Sequence, residues 1–178
     1  MNYSKTKKMK SNFILFLLLS FTTLAFGQTI IDVSKSKKIS KDGIELTTFE
    51  GKSFTGFLTE VYPNGKPKTW TSMKNGLPDG LWQEWYENGH LKFNANWLGG
   101  KGHGLWEYYH ENGILRQEEF YNLDIPIGVF RVFYNNGQLK AKASWLNGKK
   151  YGEWTYYSEN GILTKTEIYK DDKLVETK

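Results

Sequence analysis

The groups that could do chemistry in this chain are few, and their spacing argues against catalysis. The stretch Gly100-Lys101-Gly102-His103-Gly104 has the composition of a phosphate-cradling loop. Such a loop works because a helix follows and points its free amides at the anion. Here a strand pattern follows, and the same kind of loop recurs elsewhere in the chain, so its role is to turn the backbone. His90, His103 and His110 show no ligand spacing. Glu118-Glu119 and Asp171-Asp172 are adjacent carboxylates. Neighbours on a strand point to opposite faces and cannot form a facing acid/base pair. No serine sits in a nucleophile elbow. With no cysteine there is no thiolate metal site, no disulfide and no lipid-anchored terminus. The residues present imply a non-catalytic protein with no cofactor and no metal.

Aromatic side chains are the remaining candidates, at 16% of 178 residues. They fall into rows. Trp82, Trp106, Phe130 and Trp154 share one slot, and Trp85, Tyr109, Phe133 and Tyr157 follow three residues later. Three residues along a strand reverses the face. A single sheet cannot bury both faces unless it curves or is covered, so one row is expected to be core and the other a partly open binding strip. The loop Asn122 to Ile127 is unusually apolar and is read as packing against the next loop, with contact to a partner as the alternative.

The rows are set by a repeat of 24 residues. Asn64-Gly65, Asn88-Gly89, Asn112-Gly113, Asn136-Gly137 and Asn160-Gly161 mark it. Nine residues before each of these glycines stands Gly56, Gly80, Gly104, Gly128 or Gly152. Met73, Trp97, Tyr121, Trp145 and Tyr169 recur at another slot. Self-similarity at such a period is the signature of a repeat architecture. Each unit reads as two strands around an Asn-Gly hairpin turn, Asn tolerating and Gly favouring a left-handed backbone. In Leu91-Lys92-Phe93-Asn94-Ala95-Asn96-Trp97 apolar and polar residues alternate, one dry face and one wet. Helical periodicity is absent after residue 27. The expected fold is all-β, an elongated single-layer antiparallel meander of tandem β-hairpins. Strands about 4.8 Å apart advance it by roughly 10 Å per unit.

Residues 1–27 read as a signal peptide, carried as a short N-terminal signal helix: Lys5, Lys7, Lys8 and Lys10, an apolar run from Phe13 to Leu19, then Ala25-Phe26-Gly27 before a cleavage point. Cleavage leaves 20 basic against 19 acidic groups, a net charge of +1. The basic character of the whole chain thus belongs to the leader and gives no support to nucleic-acid binding. No transmembrane segment is expected after cleavage, and the destination is the periplasm, the outer surface or the medium. Residues 28–41 read as a flexible lead-in and 42–178 as the repeat domain: five units over about 56–175, preceded by a shortened unit from Asp42-Gly43 to Phe49. The charged run Lys170-Asp171-Asp172-Lys173 reads as protection of the last edge.

The pattern Gly-Leu-Trp-x-x-Tyr-x-x-Asn-Gly-x-Leu from Gly104 to Leu115, matched from Gly80 to Leu91 with Trp85 in the Tyr slot, resembles the bacterial variant of the MORN repeat, and the chain is similar to YwqK-type antitoxins. The resemblance implies a sheet of hairpins engaged in protein contacts, oligomerisation and sometimes phospholipid surfaces. The antitoxin likeness implies a neutralised cytoplasmic partner, from which an export signal would separate this chain. Together these readings give an exported protein-binding or scaffolding module at the cell envelope, its partner another protein. Two alternatives use the same features: a cell-wall glycan-binding module, since Glu107-Tyr108-Tyr109 approaches the Trp-Tyr-Tyr box of sugar- and choline-binding repeats, and an antitoxin-like partner or peripheral lipid binder.

Overall fold

A computed structural model describes residues 28–178, and the expected signal peptide lies outside them. The chain enters through β1 (Ile30–Asp32), one 3-10 turn, β2 (Lys37–Lys41), β3 (Ile44–Phe49) and β4 (Lys52–Ser53). It continues as β5 (Gly56–Val61), β6 (Pro67–Lys74), β7 (Leu77–Trp85), β8 (Leu91–Leu98), β9 (Lys101–Tyr109) and β10 (Leu115–Asn122). The remaining strands are β11 (Ile125–Pro126), β12 (Gly128–Phe133), β13 (Leu139–Leu146), β14 (Lys149–Tyr157), β15 (Leu163–Lys170) and β16 (Lys173–Thr177). From β5 onward each strand pairs antiparallel with the next in chain order, with β11 a short piece beside β10. The five units are therefore the hairpins β5–β6, β7–β8, β9–β10, β12–β13 and β14–β15.

Two kinds of turn alternate along the two margins of this sheet. At the Asn-Gly margin the turn takes three residues, as at Glu111-Asn112-Gly113, with only the glycine left-handed. Gly65, Gly89, Gly113, Gly137 and Gly161 have positive φ, but the asparagines before them do not. Gly89 N donates to Tyr86 O and Tyr86 N to His90 O, which closes a three-residue loop with glycine in the left-handed position. One strand of each hairpin then carries an extra residue: Trp85 pairs with Leu91 while Glu84 pairs with Phe93, leaving Lys92 unpaired. The alternation of the dry face therefore runs Phe93, Ala95, Trp97 and stops at Lys92, short of Leu91. The two-residue turns with both central residues left-handed are on the other margin, at Asn75-Gly76, Gly99-Gly100, Leu123-Asp124, Asn147-Gly148 and Asp171-Asp172.

The second glycine row has a packing reason. Gly56, Gly80, Gly104, Gly128 and Gly152 pair with Met73, Trp97, Tyr121, Trp145 and Tyr169. All five glycines have positive φ, where a Cβ is disfavoured. Each large side chain thus faces a position that carries none.

The N-terminal region departs from expectation. Residues 28–41 are not a loose lead-in: β1 pairs parallel with β5, and β2 pairs with β3. The Asp42-Gly43 segment is not a shortened unit of the main sheet, because β2, β3 and β4 form a separate three-stranded sheet. That sheet is tied on by Thr47 N to Gly76 O at 2.8 Å, Gly76 N to Phe54 O at 2.7 Å and Phe54 N to Thr47 O at 3.0 Å. Its cover creates the one compact core cluster among the described residues, Ile31, Phe54, Leu58 and Met73 with Phe49 against it. At the far end the last charged run is a turn rather than an edge. The edge is β16, where Leu174 and Val175 are exposed.

Candidate binding face

Register assigns the side chains to faces. Leu58 pairs with Thr71 and Thr71 with Trp82; Trp82 pairs with Ala95 and Ala95 with Trp106; Trp106 pairs with Glu119. Phe130 pairs with Ala143, Ala143 with Trp154 and Trp154 with Glu167. Trp97, Tyr121, Trp145 and Tyr169 are two residues beyond Ala95, Glu119, Ala143 and Glu167, so they share that face. The two sets of rings interleave into one ladder. Its centroid steps are Trp82–Trp97 5.6 Å, Trp97–Trp106 4.9 Å, Trp106–Tyr121 5.0 Å, Tyr121–Phe130 5.5 Å, Phe130–Trp145 5.6 Å, Trp145–Trp154 5.4 Å and Trp154–Tyr169 5.1 Å. In the first unit Leu58 and Met73 hold the ladder slots and are buried in the core cluster. The ladder is thus the same apolar row continued past the point where the small sheet covers it. Offset and tilted ring pairs at these distances each add about 0.5–1.5 kcal/mol beyond area burial.

The sequence-predicted strip is divided by this arrangement. Trp82, Trp106 and Trp154 are half-buried in the ladder and Phe130 is buried there. Trp85, Tyr109, Phe133 and Tyr157 stand on the opposite face, also half-buried. Beyond the first unit the sheet is one layer thick, so neither row becomes a core. On the opposite face the register runs through polar residues, Gln83, Asn94, Glu107, Glu118, Arg131, Lys142, Thr155 and Thr166. Asn94 donates to Glu107 there, and Arg131 pairs with Glu118. The continuous apolar surface of the sheet beyond the first unit is therefore the ladder face.

Main-chain carbonyls of the second row tie unit to unit. Tyr62 Oη donates to Trp85 O at 2.7 Å, Tyr86 Oη to Tyr109 O at 2.9 Å and Tyr134 Oη to Tyr157 O at 2.8 Å. His110 takes the same place, with Nε2 3.2 Å from Phe133 O, and His90 Nδ1 lies 2.8 Å from Glu111 O. The turn asparagines do the same at the tips. Asn88, Asn112 and Asn136 each accept from the backbone N–H two residues on and donate Nδ2 to a carbonyl of the next turn, of Glu111, Asn135 and Glu159. Asn64 accepts from Lys66 N and donates to the Glu87 carboxylate, while Gly161 closes the last turn by donating to Ser158 O. Asn160 holds the same slot in that turn, with Gly65, Gly89, Gly113 and Gly137 the earlier left-handed partners.

The residue types at one slot alternate in a way that the aromatic reading missed. Ala95 and Ala143 occupy it in units two and four, Glu119 and Glu167 in units three and five. Ala95 has 0% exposure and Glu119 9%. Tyr121 Oη donates to Glu119 at 3.0 Å, and Gln117 Nε2 also donates to it. Burial, then the Glu119 charge, push the Tyr108 phenol up to about 12, and the same two causes raise Tyr121. Both phenols stay protonated and can donate. Glu167 accepts from Lys165 at 2.9 Å, Tyr156 at 2.8 Å and Tyr169 at 3.2 Å. Its carboxyl is held low by the Lys165 bond first and the Tyr156 bond next. The signal was present in the sequence as a 48-residue alternation beneath the 24-residue one.

Among the described residues no group of three or more His, Asp or Glu is placed to hold a metal ion, and no helix is long and apolar enough to cross a membrane. The MORN repeat variant matches residues 78–97, 102–123, 126–147 and 150–171, four tandem segments that follow the hairpin period. The first unit and the small sheet lie outside those segments. No curated protein matches the chain.

Proposed function

With four tandem MORN-variant repeats as the premise, we propose that the chain is an exported, non-catalytic module that binds a protein partner through its ladder face at the cell envelope. The observation that carries this reading is the uncovered ladder from Trp82 to Tyr169. Eight strands set the rings in a strip roughly 35 Å long at the usual strand spacing. A contiguous apolar strip with polar flanks is the common character of protein-contact surfaces. Export rests on the leader pattern in residues 1–27. The envelope setting follows from export and gives the antitoxin-like alternative little support.

The ring geometry favours protein over glycan. Sugar-binding aromatics present open ring faces, whereas each of the six inner ladder rings, from Trp97 to Trp154, leans on two neighbours at 4.9–5.6 Å. A near-neutral net charge after leader removal likewise gives little attraction to anionic lipid. The test is affinity capture from an envelope fraction with the full mature chain, alongside Trp106→Ala and Trp145→Ala variants. Selective recovery of one protein that both substitutions weaken is the expected result. Recovery of no protein, or of proteins retained equally by both variants, overturns the reading, and retention on peptidoglycan would favour the glycan module.

A further inference from the structure

Units three and five carry the same frame of side chains on the ladder face. Trp106 and Tyr121 stand 5.0 Å apart with rings inclined by 53°; Trp154 and Tyr169 stand 5.1 Å apart at the same 53°. Both indoles are anchored alike, Trp106 Nε1 to Asn96 O and Trp154 Nε1 to Ser144 O, each at 3.0 Å. Each ring pair flanks a carboxylate that accepts from the tyrosine, Glu119 in one and Glu167 in the other. Tyr108 and Tyr156 complete the two frames.

What fills the frames differs. In unit five two lysines of the chain occupy it. Lys150 Nζ lies 4.5 Å from the Trp154 ring centre and 4.9 Å from that of Tyr169. Lys165 Nζ lies 4.4 Å from the Tyr156 ring and bonds Glu167. The residues 48 positions earlier are Gly102 and Gln117. Neither carries charge. Gly102 cannot even be lengthened in place, since a Cβ there would come within 2.7 Å of the Trp106 ring. Arg116 lies 5.5 Å from the Tyr108 ring centre and is in no ion pair with Glu119 among the described residues. Glu119 is thus a carboxylate nine-tenths buried, held by neutral donors beneath aromatic rings.

Resting on the protein-binding reading above, we propose that unit three is a receptor for an alkylammonium group, the lysine side chain of a protein partner, which takes in trans the place that Lys150 and Lys165 take in cis in unit five. The charge complementarity is that of Glu119 with no cation of its own. The ring notch supplies the cation–π attraction, which strengthens when water is excluded. Phe130, 5.5 Å beyond Tyr121, adds a third wall that the last unit does not have.

The test titrates the full mature chain with n-butylammonium chloride, the lysine side chain cut from its backbone, and reads the indole N–H signals by NMR. Saturable shifts at Trp106 and none at Trp154 are expected. Gln117→Lys should weaken binding at least tenfold by filling the frame internally, and the fold tolerates lysine there because Lys165 holds that slot in unit five. Glu119→Gln should do the same by removing the charge. Equal shifts with n-butanol, equal shifts at Trp154, or undiminished binding to Gln117→Lys would each overturn the proposal. Tighter binding of tetramethylammonium would reassign the frame to a quaternary headgroup and overturn the lysine assignment. A partner captured equally by wild type and Gln117→Lys sinks this inference and leaves the protein-binding reading standing. Intact ammonium binding with no captured partner sinks that reading instead.

Discussion

The hydroxyl of Tyr86 donates to the carbonyl of Tyr109, 2.9 Å away and one unit further along the chain. Tyr62 and Tyr134 repeat the bond, and His110 substitutes an imidazole for it. These bonds join the start of one hairpin turn to the end of the corresponding strand in the next unit, at the margin where the ladder pairing has already been interrupted by an extra residue. Tyr86→Phe removes one of them and little else. A net loss of about 1 kcal/mol is expected from a neutral hydrogen bond, read as a lower midpoint in thermal or urea unfolding. An unchanged midpoint would mean that water replaces the phenol without penalty.

Ala95 has no exposed surface between its cross-strand partners Trp82 and Trp106. Ala95→Leu forces added methylenes into that gap, and overpacking of this kind costs about 1–3 kcal/mol. The corresponding Ala143 lies between Phe130 and Trp154 and is half-buried, so Ala143→Leu should be tolerated better. Chemical denaturation of the two variants checks the order, and near-UV circular dichroism reports whether the rings have moved.

Gly76 joins the small sheet to the two-residue turn between β6 and β7. Its φ is +84°, and a Cβ there would meet Thr47 O at 2.9 Å. Gly76→Ala therefore combines about 1–2 kcal/mol of left-handed strain with a backbone clash. The expected outcome is release of β2–β4 with the later units intact. Limited proteolysis should cut within residues 36–53 of the variant and leave 77–178 protected. General destabilisation without that selective cleavage would show that the small sheet and the meander unfold as one unit.

Alkaline stability follows from the tyrosines around the two carboxylates. Tyr108 and Tyr156 are raised to about 12, burial being the first cause in both. In the unfolded chain a tyrosine titrates near 10. Between these values the folded state holds more protons than the unfolded one, so stability falls as pH rises. The contribution is complete below about pH 10 and lost by about pH 12. Spectrophotometric titration at the phenolate band should show these two groups ionising late. Their partial exposure to solvent makes the effect modest. Tyr108→Phe and Tyr156→Phe should each flatten the decline.

Glu167 behaves oppositely. Its carboxyl is held below the usual value, first by Lys165 and then by Tyr156. A depressed pKa stabilises the fold above the unfolded value and is lost as pH falls through it. Acid titration of Glu167→Gln should therefore show a shallower loss of stability below about pH 4.5 than the parent, the reference value from which the group is lowered.

The sequence carried the repeat well because its determinants are local. A glycine every 24 residues at Gly89, Gly113 and Gly137 sets a turn whatever the rest of the chain does. Alternation within Phe93-Ala95-Trp97 sets a strand and its faces. The three-residue turn Glu111-Asn112-Gly113 was legible, but the backbone state of its asparagine was not, because the pair Asn-Gly is shared by two solutions. At Asn75-Gly76 both residues are left-handed, whereas at Asn88-Gly89 the asparagine is spent on side-chain bonds to its own loop and to the neighbouring turn. That choice depends on a neighbour 23 residues away. The N-terminal sheet escaped for the same kind of reason. Ile31 lies opposite Leu58 through a parallel pairing, and Thr47 reaches Gly76, neither of which leaves a periodic trace. The aromatic rows were visible, but their merging into one ladder required the register that places Trp97 between Trp82 and Trp106.

The alternation of Ala95, Glu119, Ala143 and Glu167 along one column limits how the chain can be shortened or lengthened. Every hairpin makes the same joints, so an in-frame loss of one hairpin from the gene would still yield a paired meander. Loss of the third hairpin would put two alanine slots, and loss of the fourth two carboxylates, in successive units of the column. Loss or gain of hairpins two at a time keeps the order of the column. The hairpin is the unit of repetition, and the hairpin pair is the unit in which this surface can be edited without rewriting it.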